Sequence, residues 1–357
     1  MYSTLLMRRL AVFLLLLTTF RLVAQIAPPP AGRVVVTYLD SKLLRGNLGG
    51  ENPRRRVSVY LPADYEASPQ RRYPVVYYLH GFTWSDSLVF NQDGMQALLD
   101  QAIADKQIRP FILVVPNEKT RFGGSMYVNS ATNGPWADFT ARELVQFIDK
   151  NYRTLARPSS RGLAGHSMGG GGTLRLALNY PGTWAAAYAL SPAFLGPSPE
   201  YMPGGTGLRK ALAARRPTDL ARDYDGQLIT ALARAFSPEP AAQPFGAALP
   251  GSLGADSVAR RDAALARWAA ATPTYLLPNY LASMHQLRAL AFDWGAQDEV
   301  RHIPPACRTF SSYLTAFGIP HTAEEYEGTH GSRIMGRTGR VYQHVLPFFN
   351  KYLDFAP

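Results

Sequence analysis

The run YPVVYYLHG, Tyr73 to Gly81, has five apolar or aromatic residues in succession from Val75 to Leu79. A strand with one wet face alternates polar and apolar residues; this one does not. It therefore reads as a strand buried on both faces, which is the situation of a parallel sheet covered by helices on each side. PFILVVPN (110–117) repeats the pattern, and shorter apolar runs follow in SRGLAGHS (160–167), WAAAYALSP (184–192) and LRALAFDWG (287–295). Segments with helical spacing separate them: 95–106, 137–153 with Leu144, Phe147 and Ile148 on one face, and 168–178. A helix at 304–318, opened by prolines and closed by glycine, follows the last of these runs. HTAEEYEG (321–328) is a final strand and 339–353 a terminal helix. RRVSVYLP (55–62) alternates and reads as a half-buried strand, so the early segments add antiparallel edge strands. Strands alternating with crossover helices predict an α/β fold with a mostly parallel, doubly wound sheet.

Two segments interrupt that order. At the start, Arg8 and Arg9 precede an apolar run from Leu10 to Phe20. That is the layout of a secretory signal peptide and is short for a membrane span, although an uncleaved anchor has a similar look. The expected divisions are a signal peptide at 1–24, an extended linker at 25–32 (with APPPAG) and a folded domain at 33–357. Secretion or a periplasmic location follows from that expectation, with no stable membrane insertion after cleavage. The second interruption lies at about 196–280, rich in Ala, Arg, Pro and Gly. Three stretches there look helical (208–215, 220–236 and 257–271) and no buried strand appears. It is an insertion, either a lid or a packing extension.

Composition narrows the chemistry. Cys307 is the single cysteine, so an intramolecular disulfide and a cysteine-rich metal site are both excluded. It lies in a helix start and is expected in the core. The formal net charge is +11. Loss of residues 1–24 would remove three of those charges, Arg8, Arg9 and Arg21, and leave +8. Only six of the 37 basic residues are lysine, so the excess is an arginine bias. No basic helix interleaved with aromatics and no zinc-finger spacing points to nucleic acid.

Active sites of open α/β sheets form at the carboxyl ends of the strands. The residues that follow each strand therefore matter most. After SRGLAGH comes Ser167, inside Gly165-His166-Ser167-Met168-Gly169. A G-x-S-x-G turn between a strand and a helix pushes the serine out above the sheet. Gly170, Gly171 and Gly172 follow in the first helical turn, where each glycine weakens a helix by roughly 1 kcal/mol. Their use there predicts close backbone packing. After the strand that ends at Gly295 come Asp298 and Glu299, with Asp293 within the strand as a rival acid. After the last strand comes His330, between Gly328 and Gly331 in EGTHGSR. His166 sits inside the turn and is expected to point elsewhere. The other histidines, His285, His302, His321 and His344, lie before strands or on helices. Ser167, Asp298 and His330 then follow the chain order of an α/β-hydrolase triad. The oxyanion donors expected with them are the backbone N–H groups of Met168 and of Phe82, in LHGFTW after the first buried strand.

VYLPADYEASPQRRYPVVYYLHG, WADFTARELVQFIDKNYRT, RGLAGHSMGGGGTLRLALNYP and the late GAQD and GTH together resemble the esterase D group of α/β-hydrolases. That group holds feruloyl and acetyl-xylan esterases, S-formylglutathione hydrolases, siderophore esterases and mycolyltransferases. The resemblance spans roughly 55–192 and 287–353 and leaves 196–280 without a counterpart. It implies an α/β-hydrolase fold and a triad of Ser167, Asp298 and His330. It also implies that Trp136 and Asp138 lie near the site in support. The activity implied is hydrolysis of a small-molecule or polysaccharide ester, without metal or organic cofactor. An acyltransferase of the mycolyltransferase type and a non-catalytic carbohydrate-binding protein on the same scaffold are the alternatives. Acyl and alcohol specificity and the oligomeric state are not legible.

Overall fold

The computed structural model describes residues 31–196, 198, 205–251 and 257–355. The expected signal peptide and most of the expected linker lie outside the described residues. An eight-stranded sheet carries the fold. Its strands are β1 (Arg33–Asp40), β2 (Arg54–Leu61), β3 (Val75–Leu79), β4 (Ile112–Pro116), β7 (Arg161–His166), β8 (Ala186–Leu190), β9 (Ala289–Gly295) and β10 (Thr322–Tyr326). A separate two-residue pair, β5 (Asn129–Ser130) and β6 (Gly134–Pro135), forms a small hairpin. The order across the large sheet is β1-β2-β4-β3-β7-β8-β9-β10. β1 and β2 pair antiparallel, as do β2 and β4, and every later pairing is parallel.

The edge strand β1 was not legible. Its residues do not alternate cleanly, and Val36 and Tyr38 remain about half exposed, so the apolar signal is split between the two faces. By contrast β3 behaves as its composition requires. Val75, Tyr77 and Leu79 enter one apolar core, and Val76 and Tyr78 enter the other. Each buried side chain of this size contributes about 1.5–3 kcal/mol, and a polar residue at any of the five positions would forfeit that on one side or the other.

Helices cover both faces. α1 (Asp86–Asn91) is a short helix absent from the sequence reading; Ser85 caps it by accepting from the Leu88 N–H. α2 is Met95–Ala104. α3 spans residues 136–151 and contains a π-helical turn over Phe139–Glu143, which a 3.6-residue period does not reveal. α4 is Met168–Asn179. The insertion supplies α5 (Thr206–Ala213), α6 (Tyr224–Phe236) and α7 (Ser257–Ala270). α8 is Ile303–Ala316, with Cys307 fully buried, and the terminal helix α9 runs Leu346–Tyr352 after a second π-helical turn.

The described part of the insertion is anchored to the rest of the domain. Arg234 of α6 is buried; its guanidinium donates to Asn133 Oδ1 at 2.7 Å and to the Gly49 carbonyl at 3.0 Å, with Glu51 3.5 Å away. From α4, Arg175 donates to the Ala271 carbonyl. These contacts fit a packing extension better than a hinged lid.

β3 is the strand at which the order reverses. Its neighbours β4 and β7 lie on opposite sides, so the loops after β3 and β7 diverge and leave a crevice between them.

Candidate active site

Ser167 sits at that crevice, between the end of β7 and the start of α4. Its backbone has φ 57° and ψ −117°, a conformation sparsely populated for any residue with a Cβ. Two glycines permit the turn. A Cβ on Gly165 would lie 2.4 Å from the Gly169 carbonyl oxygen, and one on Gly169 would lie 2.0 Å from that of Leu79. The further glycines seat α4 against other chain segments: Gly170 against Leu190 at the end of β8, Gly171 against the Ala193 carbonyl, and Gly172 against the Tyr127 ring.

Three loops bring three side chains into one line. Ser167 Oγ lies 2.8 Å from His330 Nε2, and His330 Nδ1 lies 2.9 Å from Asp298 Oδ2. A carboxylate can only accept, so Nδ1 carries the proton and Nε2 accepts from the serine hydroxyl. Asp298 is fully buried at its side chain, and its other oxygen accepts from the Val300 N–H at 2.9 Å. The rival acids lie elsewhere. Asp293 points away, accepting from Tyr188 and Arg340, and burial pushes its carboxyl up to about 6. Glu299 touches His330 only through the backbone, accepting its N–H at 3.0 Å.

His166 does not point away from the site, contrary to expectation. Its Nε2 donates to the His330 carbonyl at 2.9 Å and its ring lies 4.8 Å from the His330 ring. Burial pushes its imidazolium down to about 3, with the neighbouring His330 acting in the same direction. It is therefore a neutral donor that holds the His330 loop.

The loop after β3 closes the other side. A Cβ on Gly81 would lie 3.5 Å from Ser167 Cβ, so this loop runs beside the serine. His80 shapes it: Nε2 accepts from the Glu118 N–H at 2.9 Å, which leaves Nδ1–H to donate to the Gly81 carbonyl. Burial pushes the His80 imidazolium down to about 4. The Tyr127 hydroxyl donates to the His80 carbonyl. Neither the Phe82 N–H nor the Met168 N–H donates to a protein acceptor among the described residues. Buried N–H groups are otherwise paired almost without exception.

A cleft of about 560 Å³ opens over the serine, lined by Phe82, Trp84, Asp93, Tyr224, Ile334 and Met335 together with His166, Ser167 and His330. Tyr224 comes from the insertion and packs edge-on against Phe82, with ring centroids 5.4 Å apart. Trp136 and Asp138 do not line this cleft. Trp136 is buried beneath Arg55, its indole N–H bound to the Asn133 carbonyl. Asp138 accepts from Asn129 and Tyr180 on α3's outer side. The family resemblance implied a supporting place near the site for both, and the cleft lining includes neither. Trp84, Asp93 and Tyr224 escaped the sequence reading because nothing local marks a residue as lining a cleft between loops. Among the described residues, no group of three or more His, Cys, Asp or Glu is placed to hold a metal ion, and no helix is long and apolar enough to cross a membrane.

Comparison with known proteins gives this geometry a context. A family model described as putative esterase matches residues 51–334. The protein named Esterase Rv1288 from Mycobacterium tuberculosis (strain H37Rv) is 37% identical over 145 residues, 39% of this chain and 28% of that protein. A Xylanibacter ruminicola protein named endo-1,4-beta-xylanase/feruloyl esterase is 35% identical over 130 residues, 35% of this chain and 18% of that protein. The chain thus spans less than a third of these relatives' length. Among solved structures, a ferulic acid esterase superposes with a TM-score of 0.59 at 21% identity, covering 90% of this chain and 99% of that one. An S-formylglutathione hydrolase from Agrobacterium tumefaciens gives 0.60 at 17% identity, covering 92% and 98%. At these identities the likeness is one of fold, the α/β-hydrolase fold.

Proposed function

Because the chain belongs to the putative esterase family, we propose that it is a serine esterase that hydrolyses carboxylic esters through Ser167, His330 and Asp298. The observation that carries this reading is the unbroken relay from Ser167 Oγ to His330 Nε2 and from His330 Nδ1 to Asp298 Oδ2. His330 accepts the hydroxyl proton as Ser167 Oγ attacks the ester carbonyl. Asp298 keeps Nδ1 protonated and stabilises the imidazolium. The tetrahedral oxyanion is received by the two unpaired N–H groups of Phe82 and Met168, aided by the positive end of α4. His330 then gives its proton to the leaving alcohol oxygen, and water, activated by the same imidazole, releases the acid from the acyl-enzyme.

The aromatic walls of the cleft and the feruloyl esterase named among the relatives support acyl or feruloyl esters of carbohydrates as substrates. Arg8, Arg9 and the apolar run after them support export. Ser167→Ala should abolish hydrolysis of p-nitrophenyl acetate and labelling by a fluorophosphonate while leaving the thermal midpoint in place. Activity within tenfold of the wild type would overturn the reading. A panel of feruloylated and acetylated oligosaccharides, compared by kcat/KM, identifies the acyl group.

A further inference from the structure

The cleft lining contains a carboxylate that the hydrolytic steps do not use. Asp93 follows α1 and lines the cleft with Trp84 and Gln92. The Trp84 indole N–H donates to Asp93 Oδ2 at 2.9 Å, which fixes the carboxylate against the wall. No Lys, Arg or His nitrogen reaches it within ion-pair distance among the described residues, and burial pushes its carboxyl above the ordinary range.

Asp86, seven residues earlier, is different. It is fully buried, and its Oδ2 is ion-paired with Arg56 at 2.7 Å and accepts from the Ser58 hydroxyl at 2.5 Å. The same segment therefore carries one carboxylate ion-paired inside the fold and one facing the cleft. An ionised carboxylate can only accept hydrogen bonds. Beside it, the exposed Gln92 side chain makes no hydrogen bond to protein among the described residues, and an amide both donates and accepts. Phe82, Trp84, Tyr224, Ile334 and Met335 contribute apolar or aromatic surface to the same cleft.

We propose that Asp93, oriented by Trp84, is a specificity-determining residue of this cleft: it accepts a hydrogen bond from a hydroxyl group of the ester substrate and discriminates against anionic esters. The assignment of the cleft rests on the esterase reading above. Asp93 takes no part in bond making or breaking, so its effect falls on substrate ranking.

The test uses the full chain and matched esters. On the acyl side these are methyl 4-hydroxycinnamate, methyl cinnamate and methyl 4-carboxycinnamate. On the alcohol side they are 2,3-dihydroxypropyl butyrate, propyl butyrate and the trimethylammonioethyl ester of butyrate. A hydrogen bond to a charged acceptor corresponds to about 10- to 100-fold in kcat/KM, so the wild type should favour the hydroxylated member of one series by that factor. Asp93→Ala should erase the preference, lowering kcat/KM for the hydroxylated ester by more than for its plain counterpart. The isosteric Asp93→Asn should relieve the discrimination against the carboxylated ester, an effect that a purely structural role would not produce. The proposal is overturned if the wild type shows no hydroxyl preference in either series, if Asp93→Ala lowers all esters equally, or if the cationic ester is the preferred one. Calorimetric binding of the same esters to Ser167→Ala separates recognition from chemistry. Preferential binding that Asp93→Ala removes supports Asp93 even if no ester is hydrolysed, which would fail the esterase reading alone. Equal binding of hydroxylated and plain esters overturns the role of Asp93.

Discussion

Asp298→Asn tests the relay at its most constrained point. In the wild type both carboxylate oxygens are engaged, Oδ2 by His330 Nδ1–H and Oδ1 by the Val300 N–H at 2.9 Å. Asparagine has one oxygen for the two donors. If it stays with Val300, the amide N–H faces Nδ1, which must then accept. The imidazole proton moves to Nε2, and His330 no longer accepts from Ser167. If the amide flips, its N–H confronts the Val300 N–H and leaves a backbone donor unpaired in a buried place, at a cost of about 1–3 kcal/mol. The first arrangement therefore prevails, and the negative charge that stabilises the imidazolium is lost in both. The expected fall in kcat is about 10⁴-fold, measured on p-nitrophenyl acetate, with little change in the thermal midpoint. Glu299→Gln is the control, because glutamine can still accept the His330 backbone N–H; it should retain most of the activity. An Asp298→Asn enzyme within tenfold of wild type, or a larger loss in Glu299→Gln, would refute the assignment.

Gly171→Ala sets two effects against each other: a helix-propensity gain of about 1 kcal/mol and a Cβ only 2.0 Å from the Ala193 carbonyl oxygen. Overpacking of this kind costs about 1–3 kcal/mol or more, so calorimetry should show a lower melting point, and a raised one would refute the close approach. His166→Phe keeps a ring against His330 but removes the donor to its carbonyl. A fall in kcat of about tenfold is expected, and an unchanged kcat would contradict the role given to this hydrogen bond. Burial pushes Glu118 up from its ordinary 4.5 to about 7. A carboxyl raised on folding gives stability that is present below 4.5 and lost as pH rises through 7. Urea denaturation should show the wild type losing stability relative to Glu118→Gln across that window, and a constant difference would refute it.

Much of the fold was legible because its signals are local. Val75 to Leu79 must be covered on both sides wherever it lies, so its composition alone announces a central strand. The G-x-S-x-G turn is equally local: Gly165 and Gly169 are needed within five residues of one another. Edge strand β1 was missed for the converse reason, since its half-exposed residues carry no clear pattern. Helix α3 was seen, but not its π-helical turn, which changes which residues share a face.

The candidate site divides in the same way. Chain order after the strands singled out Ser167, Asp298 and His330, because the carboxyl ends of neighbouring parallel strands lie side by side whatever the loops do. Choosing Asp298 over Glu299, which are adjacent, depends on the direction each side chain takes, and the loop's turn at Gly295 governs that. His166 against His330 joins residues 164 positions apart, and Tyr224 meets Phe82 from a helix that Arg234 ties to Gly49 and Asn133. The buried parallel strands, the elbow and the order of the reacting groups were readable from the sequence, all consequences of local period and sterics. Tertiary structure alone decided the walls of the cleft, and with them the carboxylate of Asp93, because a wall is made by closing loops whose ends are set by packing elsewhere.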